Sequence, residues 1–318
     1  MTEEERYDRL TEIFSPTFRH QLHELRKTNK RLVHYTTAEN AVRIIQNEEV
    51  WLRSTRTMND YSEIQHGYDC MVEALNNEHG SVFRQELDKL LPGVFEEAAT
   101  QAENWAQTIR LNSYITCLSV HCNDEDEDGR LSMWRAYGGT TSVALVLNNK
   151  AFVGSTMELG AFSSGVDYIS APGLTARMRM LGDGLKEHSE FLGSCEKPQL
   201  IQALFMMFAA TMLCTKHPGF AEELEWRVFH IPGLYGPGRL VRSVECIRGI
   251  PQLIYKVPLK NFDGVDPIGN AIPDLLDRVI IGPTEYPWVI REALVALLED
   301  KQVANASDKV WVSGIPLR

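Results

Sequence analysis

The chain has 318 residues, 44% of them hydrophobic and 24% charged, with a formal net charge of −11. This is ordinary globular composition, long enough for a large core or for one core with a helical insertion. It argues against a protein held to nucleic acid by phosphate contacts, because the basic clusters are short: Arg26-Lys27 with Lys30-Arg31, and Arg177 with Arg179.

The start, Met1-Thr2-Glu3-Glu4-Glu5-Arg6, is acidic and polar, the opposite of a signal peptide. The longest apolar stretch, around residues 201–213, is broken by Gln202 and Thr211 and reads as too short for a bilayer. Cytoplasmic residence without a membrane is the expectation. The six cysteines form no CxxC, which points to reduced, mostly buried thiols. Cys117, His121 and Cys122 lack a second ligand pair at zinc spacing, so no metal is expected.

In chain order, residues 1–30 read as a helical, polar extension. Residues 31–36 (RLVHYT) read as a strand, and Thr36 with Glu39 as a capping box for an amphipathic helix. A strand at 50–54 and a turn at Asn59-Asp60 follow. A helical insertion covers about 64–110, broken at Pro92-Gly93. Residues 114–120 read as a strand, and the acidic run 124–128 as a solvated loop or at most a weak cation site. Further strands are expected at 142–147 and 166–169, and two helices at about 174–216. After the run at 223–230 come a Gly/Pro-rich loop at 232–238, strands near 254–259 and 279–281, a helix at 288–298, and a last strand at 310–313. Residues 31–318 thus read as one α+β domain with a mixed or antiparallel sheet and large helical insertions. Neither GxGxxG nor GxxxxGK[ST] occurs.

Four constellations carry candidate chemistry. Glu223-Leu224-Glu225-Trp226-Arg227 reads as a strand, with Leu224, Trp226 and Val228 toward a core and Glu223, Glu225 and Arg227 in a row opposite. Such a row either orients a substrate hydroxyl and stabilises positive charge or is a solvated face with a diagonal ion pair. His34 and Thr36 share one strand face, with Tyr35 on the other, and can hold a ribose diol; taken alone, a capping Thr and a structural His are the favoured account of them. Asn59-Asp60-Tyr61-Ser62-Glu63 is explained by an Asx turn entering a helix, with a ligand role secondary. Trp134 and Tyr137 share a helical face and either stack on a flat cationic ring or belong to the core.

The order His-Tyr-Thr, Asn-Asp-x-x-Glu, Met-Trp-x-x-Tyr-Gly, Glu-x-Glu-Trp-Arg, Ile-Ile-Gly-Pro and Val-Ser-Gly-Ile-Pro-Leu-Arg resembles a widespread bacterial family known chiefly as a domain of unknown function, from about Arg31 to Arg318. More distantly, His34-x-Thr36 with Asn40, Ile44 and Ile45, and the late Glu223-x-Glu225, are similar to the first and last motifs of ADP-ribosyltransferases. That resemblance implies an ADP-ribosyltransferase-like fold and an enzyme that consumes NAD, a transferase or glycohydrolase acting as a toxin or phage-defence effector. It implies Glu225, Glu223 and His34 as catalytic residues. It implies NAD binding by His34, Tyr35, Thr36, Trp134, Tyr137 and Arg227. The acceptor is unspecified, with a protein, a small molecule or water favoured over nucleic acid. The competing readings are a binding module in which these residues form a structural polar core, and a metal-dependent nuclease using Asp60, Glu63, Glu223 and Glu225.

Overall fold

Residues 142–147 (SVALVL) form a strand in which all six residues are buried, as an apolar run covered on both faces must be. The structure, a computed structural model, describes residues 1–28, 30–57, 60–153, 159–234, 236, 238–262 and 270–316, without the side chains of Glu4, Asp60 and Tyr61. Asn59 of the expected turn, and Leu317 and Arg318 of the last motif, lie outside the described residues.

The strands in chain order are β1 Arg31–Thr37, β2 Glu49–Ser54, β3 Tyr114–His121, β4 Ser142–Leu147, β5 Phe162–Gly165, β6 Asp167–Tyr168, β7 Thr215–Lys216, β8 Glu225–His230, β9 Val241–Ile247, β10 Ile250–Pro258, β11 Leu276–Ile281 and β12 Val310–Val312. Ten of them join one mixed, mostly antiparallel sheet, so the fold is α+β.

The chain divides into two compact units, each assembled from three segments. The first comprises Met1–Gln21, Ser54–Ser113 and Ser164–Glu222. It contains the helices Glu3–Phe14, Asp60–Asn76, Glu78–Leu90, Val94–Leu111, Ala171–Gly184 and Lys197–Cys214, with β6 and β7 as a parallel pair. The helical stretches read at about 64–110 and 174–216 therefore share a unit with the first residues of the chain. Phe83, Phe95 and Phe208 meet edge-on in its core, with centroids 6.2 and 6.0 Å apart. The strand expected at 166–169 shrinks to the two residues of β6. The apolar stretch expected to be too short for a bilayer lies in the 18-residue helix Lys197–Cys214, which is long and apolar enough to cross one. Of that window, 61% is buried inside the protein.

The second unit comprises Leu22–Arg53, Tyr114–Ser163 and Glu223–Arg318. Its sheet forks. Along one edge β3 pairs with β8 over Tyr114–His230 to Ser119–Glu225. On the other edge it pairs with β1 at Arg31–His121, Leu32–Val120 and Val33–Ser119. There the β1–β3 register ends, although β1 continues to Thr37 against β4. The remaining length of that edge faces β2. One arm runs from β1 through β4 and β11 to β12, and the other from β2 through β10 to β9.

Each arm has its own core. Leu32, Leu118, Leu145, Trp226, Val279 and Leu294 belong to the cluster on one face of the first arm. Val33, Tyr35, Met133, Trp134, Ala144 and Ile280 form the cluster on its other face. Leu52, Tyr114, Leu240 and Tyr255 serve the second arm. β9 had no counterpart in the sequence reading. It is the sheet's edge strand and leaves Val241 and Val244 exposed, so no buried face disciplines its pattern.

Candidate functional site

β8 begins at Glu225, two residues later than the expected strand. Leu224 adopts a left-handed conformation with φ of 46° and is 41% exposed, so it is no core residue. Glu223 closes the 3-10 turn Pro218–Glu223 and does not stand in the strand row. From Glu225 onward the alternation holds, with Trp226 packed into the first-arm core and Glu225 and Arg227 on the opposite face. That face is buried rather than solvated: Arg227 is 0% exposed and Glu225 5%. The guanidinium takes Glu225 with two prongs, Nε to Oε1 at 2.6 Å and a terminal nitrogen to Oε2 at 3.3 Å. Arg227 thus pairs with Glu225, its neighbour on the same strand face. A charge-assisted, two-pronged contact fixes the carboxylate in direction.

His34 stands where β1 parts from β3. Its Nδ1 lies 3.0 Å from the Cys117 carbonyl oxygen. A carbonyl only accepts, so Nδ1 carries the proton and Nε2 is left as an acceptor. Burial lowers the His34 pKa below the ordinary histidine value, opposed by the bond to Cys117, and the ring is neutral near pH 7.

Register parity puts His34 and Glu225 on opposite faces of the sheet. Val33, Ser119 and Glu225 face one another across three strands, and His34 follows Val33 by one residue. The same parity sets His34 beside Leu145, in the Trp226 core, and Tyr35 beside Ala144, in the Trp134 core.

The remaining expected site residues have structural partners. Tyr35 is 6% exposed, accepts the Arg130 backbone N–H at 2.9 Å through its hydroxyl, and has a pKa pushed up to about 12 by burial. Thr36 is buried and accepts a bond from the Asn40 amide at 3.3 Å. The helix cap is Thr37, one residue later than expected, whose hydroxyl accepts from Asn40 N–H at 3.3 Å. Trp134 is 3% exposed whereas Tyr137 is 46% exposed, so they do not form one aromatic platform. The aromatic neighbour of Trp134 is Tyr35, edge-on at 4.8 Å. In the first unit, Glu63 pairs with the buried Lys216 at 2.8 Å. Among the described residues no three His, Cys, Asp or Glu side chains gather as a metal site.

Two features escaped the sequence reading. The acidic run is solvated only in part: Asp124, Glu127 and Asp128 are exposed, while Glu125 and Asp126 turn inward. Asp126 receives His121 at 2.9 Å, Arg31 at 2.5 Å and Arg278 at 3.9 Å, while Glu125 receives Arg130 at 2.7 Å. Arg130 also donates to the carbonyls of Glu223 and Val120, both at 3.1 Å, and so bolts the entry of β8 to the end of β3. The basic partners are scattered through the sequence, and only the fold makes them neighbours. The second feature is the packing around Trp134. Its indole N–H donates to the Asp128 carbonyl at 2.8 Å. A Cβ on Gly129 would lie 2.5 Å from the ring, and one on Gly282 would lie 2.8 Å from it. The glycines that follow the acidic run and the Ile-Ile pair are therefore demanded by one tryptophan.

Residues 133–228 match the model of a family described as protein of unknown function (DUF2971). No curated protein and no solved structure matches the chain. The DUF2971 segment opens beside Trp134 and ends within β8, so it takes in Glu223, Glu225 and Arg227 but not His34.

Proposed function

We propose that this protein is an NAD-directed enzyme, an ADP-ribosyltransferase-like transferase or NAD glycohydrolase. The observation that carries this reading is the fork at His34. Where β1 leaves the β3 edge and β2 takes it over, a neutral imidazole acceptor stands beside two diverging strands within the second unit. Backbone donors and acceptors with a histidine Nε2 suit a flat carboxamide ring and a ribose diol. Cleavage of the nicotinamide–ribose bond sends its electron pair to nicotinamide and leaves cationic character at the ribose carbon. The resemblance assigns stabilisation of that charge to a late-strand carboxylate; Glu225, gripped by Arg227, lies on the sheet face opposite His34 and so does not share the fork with it. Of the two late glutamates only Glu225 stands in the strand, since Glu223 precedes it. The acceptor is a protein, a small molecule or water, consistent with the net charge of −11. The proposed setting is the cytoplasm, where NAD consumption fits a toxin or defence effector.

A second reading is a binding module whose motif residues form a polar core. The full engagement of Tyr35, Trp134 and Arg227 by other protein groups favours it. Nicotinamide release by purified wild type, His34→Ala and Glu225→Gln separates the two readings, with each variant's fold checked by circular dichroism. The enzyme reading expects release by the wild type that His34→Ala abolishes in a folded protein. If no variant or wild type releases nicotinamide and Glu225→Gln melts earlier, the polar-core reading stands.

A further inference from the structure

We propose that His121 and the acidic loop beside it form an acid-released latch on the entry of β8. His121 is fully buried at the end of β3. Its Nε2 lies 2.9 Å from Asp126 Oδ1. Asp126 is a carboxylate held below its usual pKa despite its burial, by its bonds to His121 and Arg31, so Nε2 carries the proton of the neutral ring. The other nitrogen, Nδ1, is buried with no hydrogen-bond partner among the described residues, 3.6 Å from Glu125 Oε2. A bare lone pair facing a carboxylate is an unfavourable contact in the deprotonated state, and one proton at Nδ1 converts it into a charge-assisted hydrogen bond.

Glu125 is the group that the latch depends on. Its Oε1 accepts from Arg130 Nε at 2.7 Å, and its Oε2 accepts from the Cys122 N–H at 3.1 Å. Arg130 in turn holds the Glu223 and Val120 carbonyls, and Val120 N–H donates to the Leu224 carbonyl at 2.8 Å. The left-handed Leu224 and the start of β8 are thus fixed through one guanidinium. Protonated His121 competes with Arg130 and Cys122 for the same carboxylate.

Further charged groups face this cluster among the described residues. Arg31 of β1 sits opposite His121 in register and binds Asp126 and Asp277. Arg278 of β11 reaches Asp126 at 3.9 Å. Both cations oppose protonation of His121, and Asp126 and Glu125 favour it. Burial is the largest influence and sets the ring's pKa below its ordinary value, so the latch is closed near neutrality and opens on acidification.

The reporter is amide exchange of Val120, corrected for intrinsic pH dependence and followed with the His121 imidazole shifts by NMR. Protection of Val120 in the wild type falls roughly tenfold as His121 titrates, the population change expected from losing one charge-assisted bond. In His121→Gln, which keeps a donor toward Asp126, protection no longer depends on pH. Should that variant fail to fold, Glu125→Gln serves, because the charge that attracts protonated His121 is gone and the pH dependence goes with it. Constant Val120 protection through the His121 titration, or the same fall in either folded variant, overturns the latch.

Discussion

At the residue scale, the buried histidines set the pH response. His34, His121 and His230 all have pKa values lowered by burial, each opposed by a hydrogen bond, the one at His230 going to the Gly160 carbonyl at 2.7 Å. The unfolded chain takes up protons at histidine near pH 6.5, whereas the folded chain resists until lower pH. Stability from these groups is therefore complete above about pH 6.5 and is lost as pH falls through the lower folded-state values. Urea midpoints measured from pH 7.5 downward are expected to decline below that point, and the decline to shrink in His230→Phe. A midpoint flat to pH 5 would contradict the burial of these rings. Glu225 and Arg227 behave differently, since a buried pair is costly to break from either side.

At the element scale, the sheet's first arm depends on Trp134 fitting between glycines. Gly282→Ala places a methyl 2.8 Å from the indole and from Ser142 Cβ, and overpacking of this kind costs about 1–3 kcal/mol. Gly184 ends a helix with φ of −77°, and a methyl added there meets nothing within 4 Å, so Gly184→Ala stabilises by about 0.4–1 kcal/mol. Thermal melts of the two variants should move in opposite directions from the wild type. Much of this arm was legible in sequence: 142–147 reads as a strand because its apolar run is unbroken, and 310–313 is right to within a residue. β9 was not legible, because an edge strand with exposed valines carries no core periodicity. Leu224 misled because a leucine between glutamates fits a strand pattern, and only the backbone shows that the chain turns there.

At the scale of the whole molecule, the chain passes repeatedly between its two units, and the long helical stretches assemble with each other rather than with the sheet strands that flank them in sequence. Local patterning reveals helices and strands, but not which segments share a core, so the division into two units lay beyond the sequence reading. The same limit applies to the candidate site. His34 and Glu225 were recognisable as chemistry-bearing residues, but their opposite faces follow from register, which depends on pairings between distant strands. Arg130 and His121 went unnoticed because their partners come from β1, β11 and the acidic loop. The central claim is that the fork at His34 receives NAD. Its most direct test is titration of NAD into the labelled wild-type protein, with the His34 imidazole and the Cys117 amide observed by NMR. The account predicts saturable shifts at both positions, lost in a folded His34→Ala variant. Unmoved resonances at millimolar NAD, or identical Cys117 shifts in His34→Ala, would contradict it.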